Sequence, residues 1–580
     1  MKRFRDFLLW LKGRFADQRT YYWLFLAVLL VPNLFLCFTE TMPFWGKVAL
    51  ISVPGAVWMA LLAAGHRPGM PLWCLFPVLV FGAFQLVLLY LFGNSIIAVD
   101  MLLNVATTNS GEAMELLGKL VPAIVGVVLL YVPTLALGAL SVRLPDRLTR
   151  SFRRQSLWRA GVLFLLGVGA MVGARVQDPA YRARLDLWPV NIGYNLKVAV
   201  ERWRQSERYA ETSRDFRFEA RSERPDSLRE VYVMVVGETA RALNWQLYGY
   251  PRETNPCLAR TEGLILFRDM LTQANATHKS VPIILSAASA ENYDILYTHK
   301  SVLTAFREAG FRTAFLSNQL PNGSFIDHFG AEADTMLFLK AAAMERGEVF
   351  NPYDDVLLQS VDELLADTSA RSRKLFVVLH TYGSHFDYQE RYAAQEAYFR
   401  PAVYESVSPE NRTVLVNAYD NSIRATDRFL SDLIGRLRAL PDAAAALLYA
   451  SDHGEDIYDD RRNLFLHASP IPTYYQLHIP CLLWLSPRYD ALRPEARTAA
   501  LANAVKPMTT NIVFHTLLEL GGIETPHRND SLAVTSACFT AGPRHFLNDH
   551  NKPVALDRLE LRSLDVDMFR RLGLDFPFAD

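Results

Sequence analysis

At 580 residues the chain is longer than one hydrophobic core usually fills, so at least two domains are expected. Apolar residues make up 51% and charged residues 21%, which excludes a disordered chain and argues against an ordinary soluble enzyme of this length. Lys plus Arg and Asp plus Glu are 60 each, so no bulk charge favours nucleic acid and any charged partner must be met locally.

In chain order, apolar runs come first. Those at 21–38, 44–64, 71–93, 118–142 and 157–175 each approach or exceed the ~18 to 20 residues a helix needs to cross a bilayer. Five transmembrane spans are therefore predicted. The first is too long for a cleaved signal peptide and lacks a small-residue cleavage site. Basic residues precede the first span (Lys2, Arg3, Arg5, Lys12, Arg14, Arg19), separate the second and third (His66, Arg67) and the fourth and fifth (Arg143, Arg147, Arg150, Arg153, Arg154, Arg159). The positive-inside rule puts these segments in the cytoplasm and everything after about Arg175 outside it.

From Gln177 to Arg229 apolar and aromatic residues such as Leu187, Trp188, Ile192 and Trp203 are spaced among Arg and Asn. This pattern fits a helix lying in the membrane interface or an ordinary packed helix, and the charged stretch from Glu201 to Arg224 fits a solvated linker. Beyond Pro225, short apolar runs at 231–236, 312–317, 374–380, 446–451 and 481–486 alternate with helical stretches. That alternation predicts a mainly parallel sheet covered on both faces, with chemistry beyond the carboxyl ends of its strands. The five cysteines, Cys37, Cys74, Cys257, Cys481 and Cys538, have no CxxC or zinc-knuckle spacing, so no disulfide framework is expected.

The residues just beyond those strands are rich in metal-ligand types. The first strand ends in Gly237, Glu238, Thr239, the third leads to Gly383, Ser384, His385, and the fourth ends in Ser451, Asp452, His453, Gly454, Glu455, with His467 soon after. Carboxylates and imidazoles converging at one sheet edge suit a divalent cation. Between the first two strands, Thr277 stands before Ser280 to Ala288, a helix-like stretch. It is either a nucleophile activated by a cation and the helix dipole or simply an N-cap.

The segment GETARALNWQLYGYPRETNP from Gly237, the threonine followed by Ser-Val-Pro, Gly-Ser-His after the third strand, and SDHGE from Ser451 resemble the phosphoethanolamine transferases of the alkaline phosphatase and sulfatase superfamily. The likeness extends over nearly the whole chain, the five spans included. It implies a zinc site of Glu238, Thr277, Asp452 and His453, with Thr277 also the nucleophile that becomes phosphorylated. His385 and His467 match positions that hold the phosphate or a second zinc, and His467 is assigned the general acid. Asn104, Thr108 and Glu112 match residues that meet the donor headgroup. Their i, i+4, i+8 spacing equally describes a bland polar helix face. Lys279 is read either as a phosphate contact or as an exposed lysine. Members that modify lipid A carry cysteines around the nucleophile where this chain has Gln273, Ala274, Asn275 and Ile283, so it falls in a branch without the usual disulfides.

The organisation expected is a five-helix transmembrane α domain over 1–176, an interfacial helix and linker over 177–225, and a periplasmic α/β catalytic domain of sulfatase type over 226–580. The resemblance implies a bacterial inner-membrane monomer. It would move phosphoethanolamine from phosphatidylethanolamine to a lipid or glycan of the cell envelope, with one zinc ion and room for a second. Nucleic acid is not an expected partner. A phosphoglycerol transferase of the same superfamily and a catalytically inactive membrane scaffold are the alternatives.

Overall fold

The computed structural model describes residues 16–40, 42–93, 96–107, 110–348, 351–367 and 373–556. The chain divides into two compact units, one of residues 1–102 and 120–200, the other of 103–119 and 201–580.

Helices α1 (Gln18–Thr39), α2 (Phe44–Ala64), α3 (Gly69–Cys74), α4 (Phe76–Phe92), α5 (Val99–Thr107), α6 (Ser110–Lys119), α7 (Val121–Arg143) and α8 (Arg150–Gln177) come first. Four of them, α1, α2, α7 and α8, are long and apolar enough to cross a membrane, and α4 is a fifth apolar helix of 17 residues. The third predicted span, 71–93, is thus broken in two. Leu75 leaves helical geometry, and Pro77, which has no N–H to give a preceding turn, starts α4 afresh. Val125, Val128, Leu129 and Val132 of α7 are exposed, which suits a lipid surround. The buried amides of Asn33 and Gln18 find partners within this unit, as suits a membrane interior. Asn33 Nδ2 donates to Leu50 O at 2.8 Å and Trp188 O at 2.9 Å, while Gln18 Nε2 donates to Ser141 O at 2.7 Å.

In the second unit the seven-stranded sheet has strands β1 (Glu230–Gly237), β2 (Leu264–Phe267), β3 (Arg312–Ser317), β4 (Thr335–Phe338), β5 (Lys374–His380), β6 (Ala444–Ser451) and β7 (Cys481–Leu485) in the order β2-β7-β6-β1-β5-β3-β4. The five strands from β6 to β4 are mutually parallel; β7 and β2 run antiparallel to β6 and to each other, respectively. Strand β1 is buried from end to end, as its unbroken apolar run requires of a central strand. The run at 481–486 is predicted as part of the parallel set but lies antiparallel. Besides a two-residue hairpin pairing at 456–457 and 465–466, residues 452–480 hold one helix, the four-residue Tyr474–Leu477, too short for a crossover, so the chain returns from the edge it left. Edge strands β2 and β4, four residues each, are too short to stand out in the sequence.

The register decides where the chemistry falls. Val236 pairs with His380 and Gly237 with Ser451, so the residues that follow β1, β5 and β6 emerge side by side at one edge.

Candidate metal and nucleophile site

Glu238, Asp452 and His453, all fully buried, each bring one ligand atom within 4.8 Å of the others. His453 Nε2 stands 3.2 Å from Asp452 Oδ2 and 3.6 Å from Glu238 Oε1. Thr277 opens helix α10 (Thr277–Ile284), counted after helix α9 (Val190–Glu207), and Ala276, not Thr277, is its N-cap. The hydroxyl is therefore not consumed by capping. Its Oγ lies 3.1 Å from His453 Nε2 and 3.2 Å from Glu238 Oε1, inside the same cluster. The predicted helical stretch Ser280–Ala288 begins three residues earlier than the sequence suggests and stops at Ile284.

The surrounding backbone fixes each ligand. Asp452 Oδ1 accepts from the N–H groups of Thr239 (3.0 Å) and His453 (2.7 Å), and Oδ2 from the Ser280 hydroxyl (3.3 Å). Glu238 Oε1 accepts from Thr239 Oγ1 at 2.8 Å and its Oε2 from Gln319 Nε2 at 3.0 Å. Thr239 adopts φ +59°, a costly conformation for a threonine that places its N–H and hydroxyl on these two carboxylates. Two glycines permit close packing. At Gly383, with φ +48°, a Cβ would sit 2.7 Å from Glu238 O; at Gly454 it would sit 2.1 Å from Tyr475 O.

Three histidines share one polarity. His453 Nδ1 faces Gly454 O at 2.9 Å, His385 Nδ1 faces Phe386 O at 2.6 Å, and His467 Nδ1 faces the Glu455 carboxylate at 3.0 Å. A carbonyl or carboxylate oxygen accepts, so each Nδ1 carries the hydrogen and each Nε2 keeps its lone pair. The His467 ring lies 4.1 Å from that of His453 and 6.4 Å from that of His385, centre to centre. Tyr388 donates its hydroxyl to the other oxygen of Glu455.

Burial, with the neighbouring Asp452 carboxylate, pushes Glu238 up to about 7; burial also pushes Asp452 to about 7 against the N–H groups that bond it. Burial and then His467 lower His453 to about 3, and burial, His385 and His278 lower His467 to about 3. Packed together without a cation, these groups resist charge of either sign. Two carboxylates, an imidazole with a free Nε2 and a hydroxyl are a donor set that a divalent cation fits and that its charge would relieve.

The Gly237 to Pro256 block braces this edge from outside. Asn244 Nδ2, the Tyr250 hydroxyl and Arg252 converge on Asp420 of the long helix Arg412–Arg438, at 2.6, 2.9 and 2.7 Å. Arg241, buried between the rings of Tyr419 and Tyr475, pairs with Asp459 and bonds Glu455 O.

Of the predicted residues, then, Glu238, Thr277, Asp452, His453, His385 and His467 gather at one place. Lys279 is buried on α10 with its ammonium 3.0 Å from Asn548 O, so it is not an exposed lysine. Asn104 is half-buried on α5, Glu112 falls in α6, and Thr108 lies outside the described residues, as does the side chain of Glu112. Gln319 and Tyr388 lie in none of the quoted motifs, while Thr239 and Ser280 fall inside the GET and Ser-Val-Pro segments without either being singled out as a site residue. Gln319 does have a positional signal, because it follows β3 just as the metal-ligand candidates follow their strands. All five cysteines are free thiols.

The sulfatase family model matches residues 230–523, and the chain belongs to that family. It is 30% identical over 325 residues to phosphoethanolamine transferase EptA of Escherichia coli K12, a match covering 53% of this chain and 56% of that one. The chain thus spans a little over half the length of the curated relatives it matches. In fold it is similar to the full-length lipooligosaccharide phosphoethanolamine transferase A (EptA) of Neisseria meningitidis, with a TM-score of 0.69, 23% identity and coverage of 89% of this chain and 98% of that chain. The C-terminal periplasmic domain of EptC from Escherichia coli, solved in complex with Zn, is similar with a TM-score of 0.53 and 24% identity over 60% of this chain and 97% of that one.

Proposed function

We propose that the protein is a zinc-dependent phosphoethanolamine transferase, anchored in the bacterial inner membrane with its catalytic unit in the periplasm. The observation that carries this reading is the position of Thr277 Oγ, 3.1 Å from His453 Nε2 and 3.2 Å from Glu238 Oε1, among the metal-ligand candidates. The curated relatives named phosphoethanolamine transferases and the Zn complex of the EptC domain support the transferred group and the metal. Long apolar helices and the distribution of basic residues support the anchoring and its direction.

Glu238, Thr277, Asp452 and His453 would hold the zinc ion, which supplies a charge that favours the threonine alkoxide and polarises a phosphoryl oxygen. Thr277 Oγ attacks the phosphorus of phosphatidylethanolamine, and the bond from phosphorus to the diacylglycerol oxygen breaks. That oxygen takes the proton that the Thr277 hydroxyl gave up, relayed through the Nε2 lone pair of His467, whose ring Glu455 orients, and diacylglycerol leaves. Phosphoethanolamine now esterifies Thr277. An acceptor hydroxyl or phosphate on an envelope lipid or glycan attacks the same phosphorus, the bond from phosphorus to Thr277 Oγ breaks, and the proton the acceptor gives up restores the threonine hydroxyl. His385 stands across from His467 at the face where the equatorial oxygens would lie.

The test is transfer itself. Full-length protein in vesicles with phosphatidylethanolamine and envelope glycolipid should add the mass of phosphoethanolamine to the glycolipid, and Thr277→Ala should add none while retaining zinc. A wild-type protein that yields no transfer, or that holds no zinc, sinks the reading and leaves the inactive scaffold.

A further inference from the structure

The second compact unit includes residues 103–119, which lie between apolar helices in the chain. This segment ends at Lys119, and there it is fastened to the loop that bears His385. The Lys119 ammonium donates to Tyr404 O at 2.8 Å, stands 3.5 Å from Asp387 Oδ2 and lies over the Tyr404 ring at 5.1 Å. Asp387 is nearly fully buried, so an ammonium beside it has electrostatic value that an exposed pair would lack.

The receiving loop holds itself together without Lys119. The Tyr404 hydroxyl donates to Asp387 Oδ1, Tyr388 N–H donates to the Tyr404 hydroxyl at 3.2 Å, and Gln389 Nε2 donates to Asp387 Oδ2 at 3.0 Å. Phe386, between His385 and Asp387, packs on Tyr388, Tyr404 and Phe465. Loss of the ammonium would therefore free the end of 103–119 and leave the histidine loop in place.

On this basis, and resting on the function proposed above, we infer that Lys119 is a positioning residue for the lipid donor. It fastens the end of α6 (Ser110–Lys119), the helix that carries Glu112, to the loop that bears His385, so that a headgroup held on that helix presents its phosphorus to Thr277. A small soluble ester, which needs no such segment, does not depend on it.

The experiment compares two substrates on the same full-length protein, phosphatidylethanolamine in vesicles and p-nitrophenyl phosphoethanolamine in solution. Lys119→Ala should lower kcat/KM for the lipid about tenfold and leave that for the soluble ester within about twofold. Zinc content should match wild type, while the thermal midpoint falls somewhat as buried Asp387 loses its cation. Lys119→Arg should restore lipid use, since a guanidinium can reach both oxygens, and Lys119→Gln, which keeps a donor without charge, should fall between. A Lys119→Ala protein whose two rates keep the wild-type ratio overturns the inference, whether both hold or both fall. Wild-type protein that uses neither substrate would instead overturn the transferase reading, so the two failures are distinct.

Discussion

Glu455 accepts a hydrogen bond from His467 Nδ1 at 3.0 Å, and that bond decides which ring nitrogen of His467 faces the site. Glu455→Ala should leave zinc bound, because Glu455 is not among the ligand candidates, yet reduce transfer by about 10- to 100-fold through a misdirected imidazole. Steady-state transfer measured beside metal analysis checks this. Full activity in the variant would mean that His467 needs no orienting partner.

The carboxylates predict a pH dependence. Glu238 rises from 4.5 to about 7 and Asp452 from 3.8 to about 7 in the metal-free protein. Groups raised in this way bind protons more tightly when folded, so the metal-free protein loses stability as pH climbs from about 4 to about 7. Zinc competes with those protons and binds the charged forms, so its stabilisation grows over the same window. The rise in thermal midpoint on adding zinc should be larger at pH 8 than at pH 6. An equal rise at both would show that neither carboxylate is a ligand.

Much of this was legible in the sequence because a buried parallel strand advertises itself. VYVMVV, KLFVVLH and ALLYAS are unbroken apolar runs, and reading the residues after each one reached Glu238, His385 and Asp452 directly. The direction of β7 was not legible, since strand polarity depends on whether a crossover helix intervenes and the loop before it is long but almost helix-free. Short edge strands such as LILF and TMLF carry too few residues to show a period. The supporting donors were hidden for another reason. Ser280 and Thr239 are common residue types whose value comes only from the carboxylates that folding brings to them.

Close packing at Gly454 sets a third expectation. A methyl there would fall 2.1 Å from Tyr475 O and displace the His453 loop or its neighbour. Gly454→Ala should lose about 2 kcal/mol or more of stability together with zinc affinity. Thermal unfolding with and without added zinc reads both, and a variant that unfolds and binds as wild type would contradict the geometry.

Arg241 offers a test of the brace behind the site. It is fully buried against Asp459, and Arg241→Leu would leave that carboxylate only the more exposed Arg412, 3.0 Å away, and the Ile457 N–H, at a cost of about 3 kcal/mol. The thermal midpoint should fall, while Asp459→Asn introduced into the same variant should recover part of the loss. Absence of any recovery would show that the pair does not act as a unit.

The proposed reaction turns on a covalent step at one hydroxyl. Full-length protein given phosphatidylethanolamine without acceptor, quenched in acid and digested, should yield the peptide around Thr277 with the mass of phosphoethanolamine added to that residue. The same peptide from an Asp452→Ala protein should be unmodified. An active protein whose Thr277 never acquires the group, or a Thr277→Ala protein that transfers at the wild-type rate, would contradict it.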